Sequence, residues 1–135
     1  MGLRVIKSVS SILLICPLSL MGYVEEKETQ GEQVERVVRD LQDENEDVRW
    51  NAVEVLRQMG SLDTVTVLME ALKDENEDVR WNAVEALKEI GALDAVPALI
   101  QVLKDQNEDV RWNAVQALEK IGTPEALKVV KGYQS

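Results

Sequence analysis

The stretch NEDVRWNAVE fills residues 45–54, returns unchanged at 76–85, and returns as NEDVRWNAVQ at 107–116. A period of 20–50 residues is the mark of a repeat architecture and has to be recognised before any local reading. Working outward, Leu41, Leu72 and Leu103 keep the same 31-residue spacing, and so do Gly60, Gly91 and Gly122. The units are therefore 41–71, 72–102 and 103–135. Twelve residues, DENEDVRWNAVE, are identical in the first two units, which points to recent duplication.

Each unit reads as two helices. In the second unit Asn76 is a good N-cap, and Glu77 and Asp78 sit at the positive end of the helix that follows. Val79, Ala83, Ala86, Leu87 and Ile90 keep one face apolar at helical spacing. Gly91 supplies a left-handed end. Asp94 is the expected cap of a shorter second helix running to about Leu103, with Pro97 in its first turn, where a missing N–H costs little. Val96, Leu99 and Leu103 face inward. In the third unit Thr123-Pro124-Glu125 opens the second helix with Pro at the first helical position. GEQVERVVRDLQ (31–42) aligns with a second helix only, so 31–40 reads as a half-repeat capping the stack. No segment has a strand pattern. One such helix pair cannot bury its apolar face alone, and stacking builds a continuous core from nearest-neighbour contacts. The expectation is an all-α solenoid of about seven helices in stacked antiparallel pairs.

The recurring pattern D-x-x-x-x-V-R-x-x-A-x-x-x-L-x-x-[IM]-G, followed by a short second helix, resembles the HEAT-like repeats first named from phycobilisome lyases. The resemblance covers about 41–133 and implies a right-handed solenoid. It also implies a polar ladder between neighbouring repeats, built from an Asp and the Arg six residues later. The matching pairs are Asp43/Arg49, Asp74/Arg80 and Asp105/Arg111.

With Val79 at zero on a helical wheel, Trp81 falls about 200° away, nearly opposite the core. The largest apolar side chain of each unit thus lies on the polar face. Stacking aligns Trp50, Trp81 and Trp112 into a row at roughly 10 Å spacing. Asn51, Asn82 and Asn113 stand beside the indoles. Acids border them: Glu54, Glu77, Asp78, Glu85 and Glu89, with Glu46, Asp47, Glu108 and Asp109 nearby. Exposed Trp in a polar rim is hot-spot chemistry, and indole faces among carboxylates suit Lys or Arg. The opposing reading is that the indoles lie flat on the next repeat and cover aliphatic surface.

Composition narrows the chemistry. The net charge of −10 repels phosphate backbones, so nucleic acid is not an expected partner. There is no His, which removes the usual general base and the commonest metal ligand. The one cysteine, Cys16, rules out a disulfide framework. Asp74, Asn76, Asp78 and Glu85 imitate the spacing of a calcium loop, but Val79 stands where a Gly makes the sharp turn. Helix capping explains these acids better. The expectation is a non-enzymatic scaffold with no cofactor and no metal, binding another protein on an acidic, Trp-lined face. The open ends of the stack also offer a route to self-association. The alternative, carried by the resemblance, is a lyase-type or accessory subunit related to phycobilin lyases or HEAT-repeat oxidoreductases.

Upstream, Arg4 and Lys7 precede an uncharged run from Ser8 to Val24. A basic start before an apolar stretch reads as a signal peptide or short N-terminal anchor over 1–22, followed by a polar linker over 23–30 and the repeat domain over 31–135. Arg4 and Lys7 on the inside leave the domain outside the cytoplasm. A start at Met21 would leave it cytoplasmic.

Overall fold

A computed structural model describes residues 27–135. The leader and anchor readings of 1–22 lie outside the described residues. Within them the chain forms seven α-helices and no strand: α1 Gln30–Asp40, α2 Glu46–Met59, α3 Val65–Ala71, α4 Glu77–Ile90, α5 Val96–Val102, α6 Glu108–Ile121 and α7 Pro124–Gln134. No helix among the described residues is long and apolar enough to cross a membrane.

Asn45, Asn76 and Asn107 cap the three long helices, each accepting a backbone N–H with its side chain. This satisfies amide donors that have no partner inside the helix. At the far ends Gly60, Gly91 and Gly122 are, among the described residues, the ones with positive φ, from 58° to 69°. A side chain there would clash with the following carbonyl, so glycine lets each long helix stop and the chain turn back.

Two local details differ from the sequence reading. Asp94 does not cap the second helix. It lies inside a short 3-10 turn, Leu93–Ala95, that leads into α5 without a side-chain cap. The half-repeat also starts earlier than 31: Thr29 and Glu32 form a reciprocal capping box, so α1 begins at Gln30 inside the stretch read as linker.

The long helices α2, α4 and α6 pack side by side, and the short α3 and α5 fill the gap between successive long helices on the other side. α1 covers α2 at one end and α7 covers α6 at the other. One aliphatic core runs the length of the stack, through Val37, Leu56, Leu68, Val79, Leu87, Leu99 and Leu118. Each unit buries its apolar stripe against its neighbours, as a solenoid requires. This geometry leaves the outer face of the long-helix layer free.

Candidate functional site

On a helix, residues three and four apart share a face. Glu46 and Asp47 therefore stand one turn before Trp50, Glu77 and Asp78 before Trp81, and Glu108 and Asp109 before Trp112. Trp50, Trp81 and Trp112 are 38, 41 and 59 % exposed. The first two are more covered than the last because another unit lies against each of them. Trp50 and Trp81 thus do part of both jobs, lying partly against the next repeat and partly in solvent, while Trp112 has no following repeat to cover.

Between successive tryptophans the surface sinks into a cleft. The first, of about 430 Å³, is lined by Glu46, Asp47, Trp50, Asn76, Asp78 and Trp81. The second, of about 310 Å³, is lined by Glu77, Asp78, Trp81, Asn107, Asp109, Val110 and Trp112. Trp81 and Asp78 belong to both. The two clefts are the same construction one repeat apart.

The carboxylates assigned to this face divide into two sets. Glu77 and Asp78, together with Glu46, Asp47, Glu108 and Asp109, are exposed, and none is in an ion pair among the described residues. Glu54, Glu85 and Glu89 are already engaged. Arg57 grips Glu54 with two hydrogen bonds of 2.8 Å and reaches Glu89 across the repeat boundary at 2.8 Å. Lys88 pairs with Glu85 at 2.6 Å and donates to Asn113 of the next unit. The hydrogen-bonded Arg57 holds the Glu54 carboxyl below its ordinary value, and Glu54 in turn raises Arg57. These three acids share two cations, Arg57 and Lys88, that also reach across the repeat boundary, so most of their charge is offset within the joint.

The asparagines require a correction. Asn82 and Asn113 are not beside the indoles in solvent; they are 2 and 3 % exposed. Asn82 Nδ2 donates to the Trp50 carbonyl at 3.4 Å, and Asn113 Nδ2 donates to the Trp81 carbonyl at 3.1 Å. Each buried Asn thus ties the backbone of the preceding Trp to its own helix and sets the spacing of the row. Asn51 has no long helix before it and stays exposed.

The ladder is also rewired. Asp43/Arg49, Asp74/Arg80 and Asp105/Arg111 are not side-chain pairs. Arg49 binds Asp74 of the next unit at 2.9 and 3.2 Å, and Arg80 binds Asp105 at 2.8 and 3.0 Å. Within its own unit each Arg donates to the backbone carbonyl of the Asp six residues earlier: Arg49 to Asp43, Arg80 to Asp74 and Arg111 to Asp105. The buried guanidinium is planar and five-fold donating, so it can hold a carboxylate fork and two carbonyls at once. Asp43 instead accepts the Asn45 N–H. The residues with calcium-loop spacing are occupied likewise: Asp74 by Arg49, Asn76 by the helix it caps, and Glu85 by Lys88.

The geometry has known counterparts. Among solved structures, the chain is similar to the complex of CpcE and CpcF of phycocyanin lyase from Nostoc sp. PCC7120, at 30 % identity and a TM-score of 0.64. That match covers 78 % of this chain and 44 % of the other. An engineered protein shares the fold at 22 % identity and a TM-score of 0.54, over 75 % of this chain and 51 % of the other. The chain thus spans about half the length of these structures. No curated protein matches it. The family description HEAT repeats matches residues 21–78, 34–101 and 65–133, one overlapping window after another along the stack. With the 31-residue period, the helix pairs and the inter-repeat arginine ladder, this places the chain in the HEAT-repeat family.

Proposed function

We propose that the chain is a non-enzymatic interaction module that holds a protein partner bearing Lys or Arg on its tryptophan row. The observation behind this is the pair of clefts, each walled by two half-exposed indoles and rimmed by carboxylates that are in no ion pair among the described residues. A cation entering such a cleft meets ring faces and unpaired carboxylates together. The contacting set is Trp50, Trp81 and Trp112 with Glu77, Asp78 and the equivalent acids of the other units. Glu54, Glu85, Glu89, Asn82 and Asn113 support it from behind.

The test is titration of a Lys-rich peptide into the parent chain, Trp81→Ala and Asp78→Asn. Trp81 belongs to both clefts, so its loss should weaken binding by about 1–3 kcal/mol, the range of a hot spot. Asp78→Asn should weaken binding mainly at low salt, because its contribution is screened charge. Equal affinity for all three proteins would overturn the proposal.

The similarity to a phycocyanin lyase complex favours a second reading, a subunit of a lyase-type pair. A chromophore copurifying with the chain and absorbing in the visible, retained through denaturation or transferred to an acceptor protein, would select it over the first.

We further propose that 1–22 directs the repeat domain out of the cytoplasm, as cleaved signal or retained anchor. Mass spectrometry of native protein should find an N-terminus near residue 23 or an intact chain in the membrane fraction. Soluble cytosolic protein beginning at Met1 or Met21 would refute export.

A further inference from the structure

Two equivalent clefts in a row impose a spacing on whatever fills them both. Packed helices lie about 8–10 Å apart axis to axis. The clefts sit over successive gaps between α2, α4 and α6, so they repeat at that same interval. Trp81 stands between them as a shared wall.

A strand does not match this interval. At about 3.3 Å per residue its same-face side chains fall about 7 or 13 Å apart, and residues three apart point to opposite faces. A polyproline II segment matches: three residues per turn at 3.1 Å each bring every third side chain to the same face about 9 Å further on. An α-helix also places residues seven apart at about 10.5 Å. Its carbonyls, however, are satisfied internally. The indole N–H groups of Trp50, Trp81 and Trp112 donate to nothing among the described residues. A polyproline II backbone has free carbonyls to accept from them, and aromatic-lined grooves are its usual dock.

Resting on the cation-binding reading above, we infer that the partner presents an extended polyproline II segment with Lys or Arg at every third residue, one cation to each cleft. Trp81 separates the two cations and donates to the backbone between them. Trp50 and Trp112 close the outer walls. The acids one turn before each Trp receive the charges.

The experiment compares four peptides of equal charge against the full chain by tryptophan fluorescence and calorimetry. The first is Lys-Pro-Pro-Lys-Pro-Pro-Lys. The second has the same composition with its lysines adjacent. The third alternates Lys with Thr as a strand former, and the fourth is an alanine-rich helix with lysines seven apart. The first peptide should bind about tenfold tighter than the others, and Trp81→Ala should erase that preference. Equal binding of all four, or a preference for the strand or helical peptide, would refute the register while leaving the cationic partner standing. Absence of binding by every peptide would remove both.

Discussion

Arg80 and Asp105 lie 25 residues apart and meet across a repeat boundary through two hydrogen bonds of 2.8 and 3.0 Å, both side chains almost wholly buried. The same pairing joins Arg49 to Asp74. Removing one member of a buried pair strands the other charge, which typically costs 3–5 kcal/mol. Asp105→Ala should therefore lower unfolding stability in urea by about that amount. Asp43→Ala removes only a turn hydrogen bond at the outer edge and should cost about 1 kcal/mol or less. Equal losses in the two variants would mean that each Arg pairs within its own unit.

The asparagines allow a sharper comparison. Asn113→Ala removes the donor to the Trp81 carbonyl and one of the two acceptors of Lys88, which keeps Glu85, and should cost about 1–2 kcal/mol. Asn51→Ala, at the chemically identical but exposed position, should change stability by less than about 0.5 kcal/mol. Thermal melts of the two variants decide the matter. If the two shifted alike, the staple would have no energetic weight.

The tryptophans should behave as half-exposed groups. Each Trp→Ala change should cost about 1 kcal/mol, well short of the 3–5 kcal/mol of a fully buried large aromatic. Trp112, 59 % exposed, should be quenched by acrylamide more readily than Trp50 or Trp81. Uniform resistance to quenching would place the indoles in the core.

Acid should loosen the joint between the first two units. The Glu54 carboxyl titrates below its ordinary value because Arg57 is hydrogen-bonded to it. A depressed folded-state pKa contributes stability above the unfolded value, and that contribution disappears as pH falls through the folded value. At neutral pH Glu54→Gln should lose roughly 0.5–1 kcal/mol, since both partners are partly solvated. As pH falls below the ordinary carboxylate range and through the depressed folded value, parent and variant should converge. A gap that persisted at acid pH would indicate lost packing instead.

The period, the caps at Asn45, Asn76 and Asn107, the αL glycines and the aliphatic stripe are local features, and each is legible from one unit of sequence. The outward direction of Trp81 follows from the wheel as well. The partner of Arg80 does not. A motif repeated every 31 residues places an Asp six residues before the Arg and another 25 after it, and only the stacking distance decides between them. Asn82 carried a signal that was open to reading. It lies about 60° from Val79 on the wheel, closer to the core than its neighbour Trp81, so adjacency in sequence was a poor guide to adjacency on the surface. The ion pairs of Glu54 with Arg57 and of Glu85 with Lys88 join residues three apart on one helix and were open to reading, whereas the pairing of Glu89 depends on Arg57 reaching across the boundary, which no single helix encodes.

The side-chain contacts that join one repeat to the next span 25 to 32 residues of chain, from Arg80 to Asp105 and from Asn113 back to Trp81. During synthesis on the ribosome, a finished unit therefore waits only for one more unit's worth of chain to emerge before its edge is sealed. The protein can condense in the order in which it is made, with a short growing tip rather than a long unfolded nascent chain. The same arithmetic lets a gene gain or lose a whole unit without changing the joints that remain.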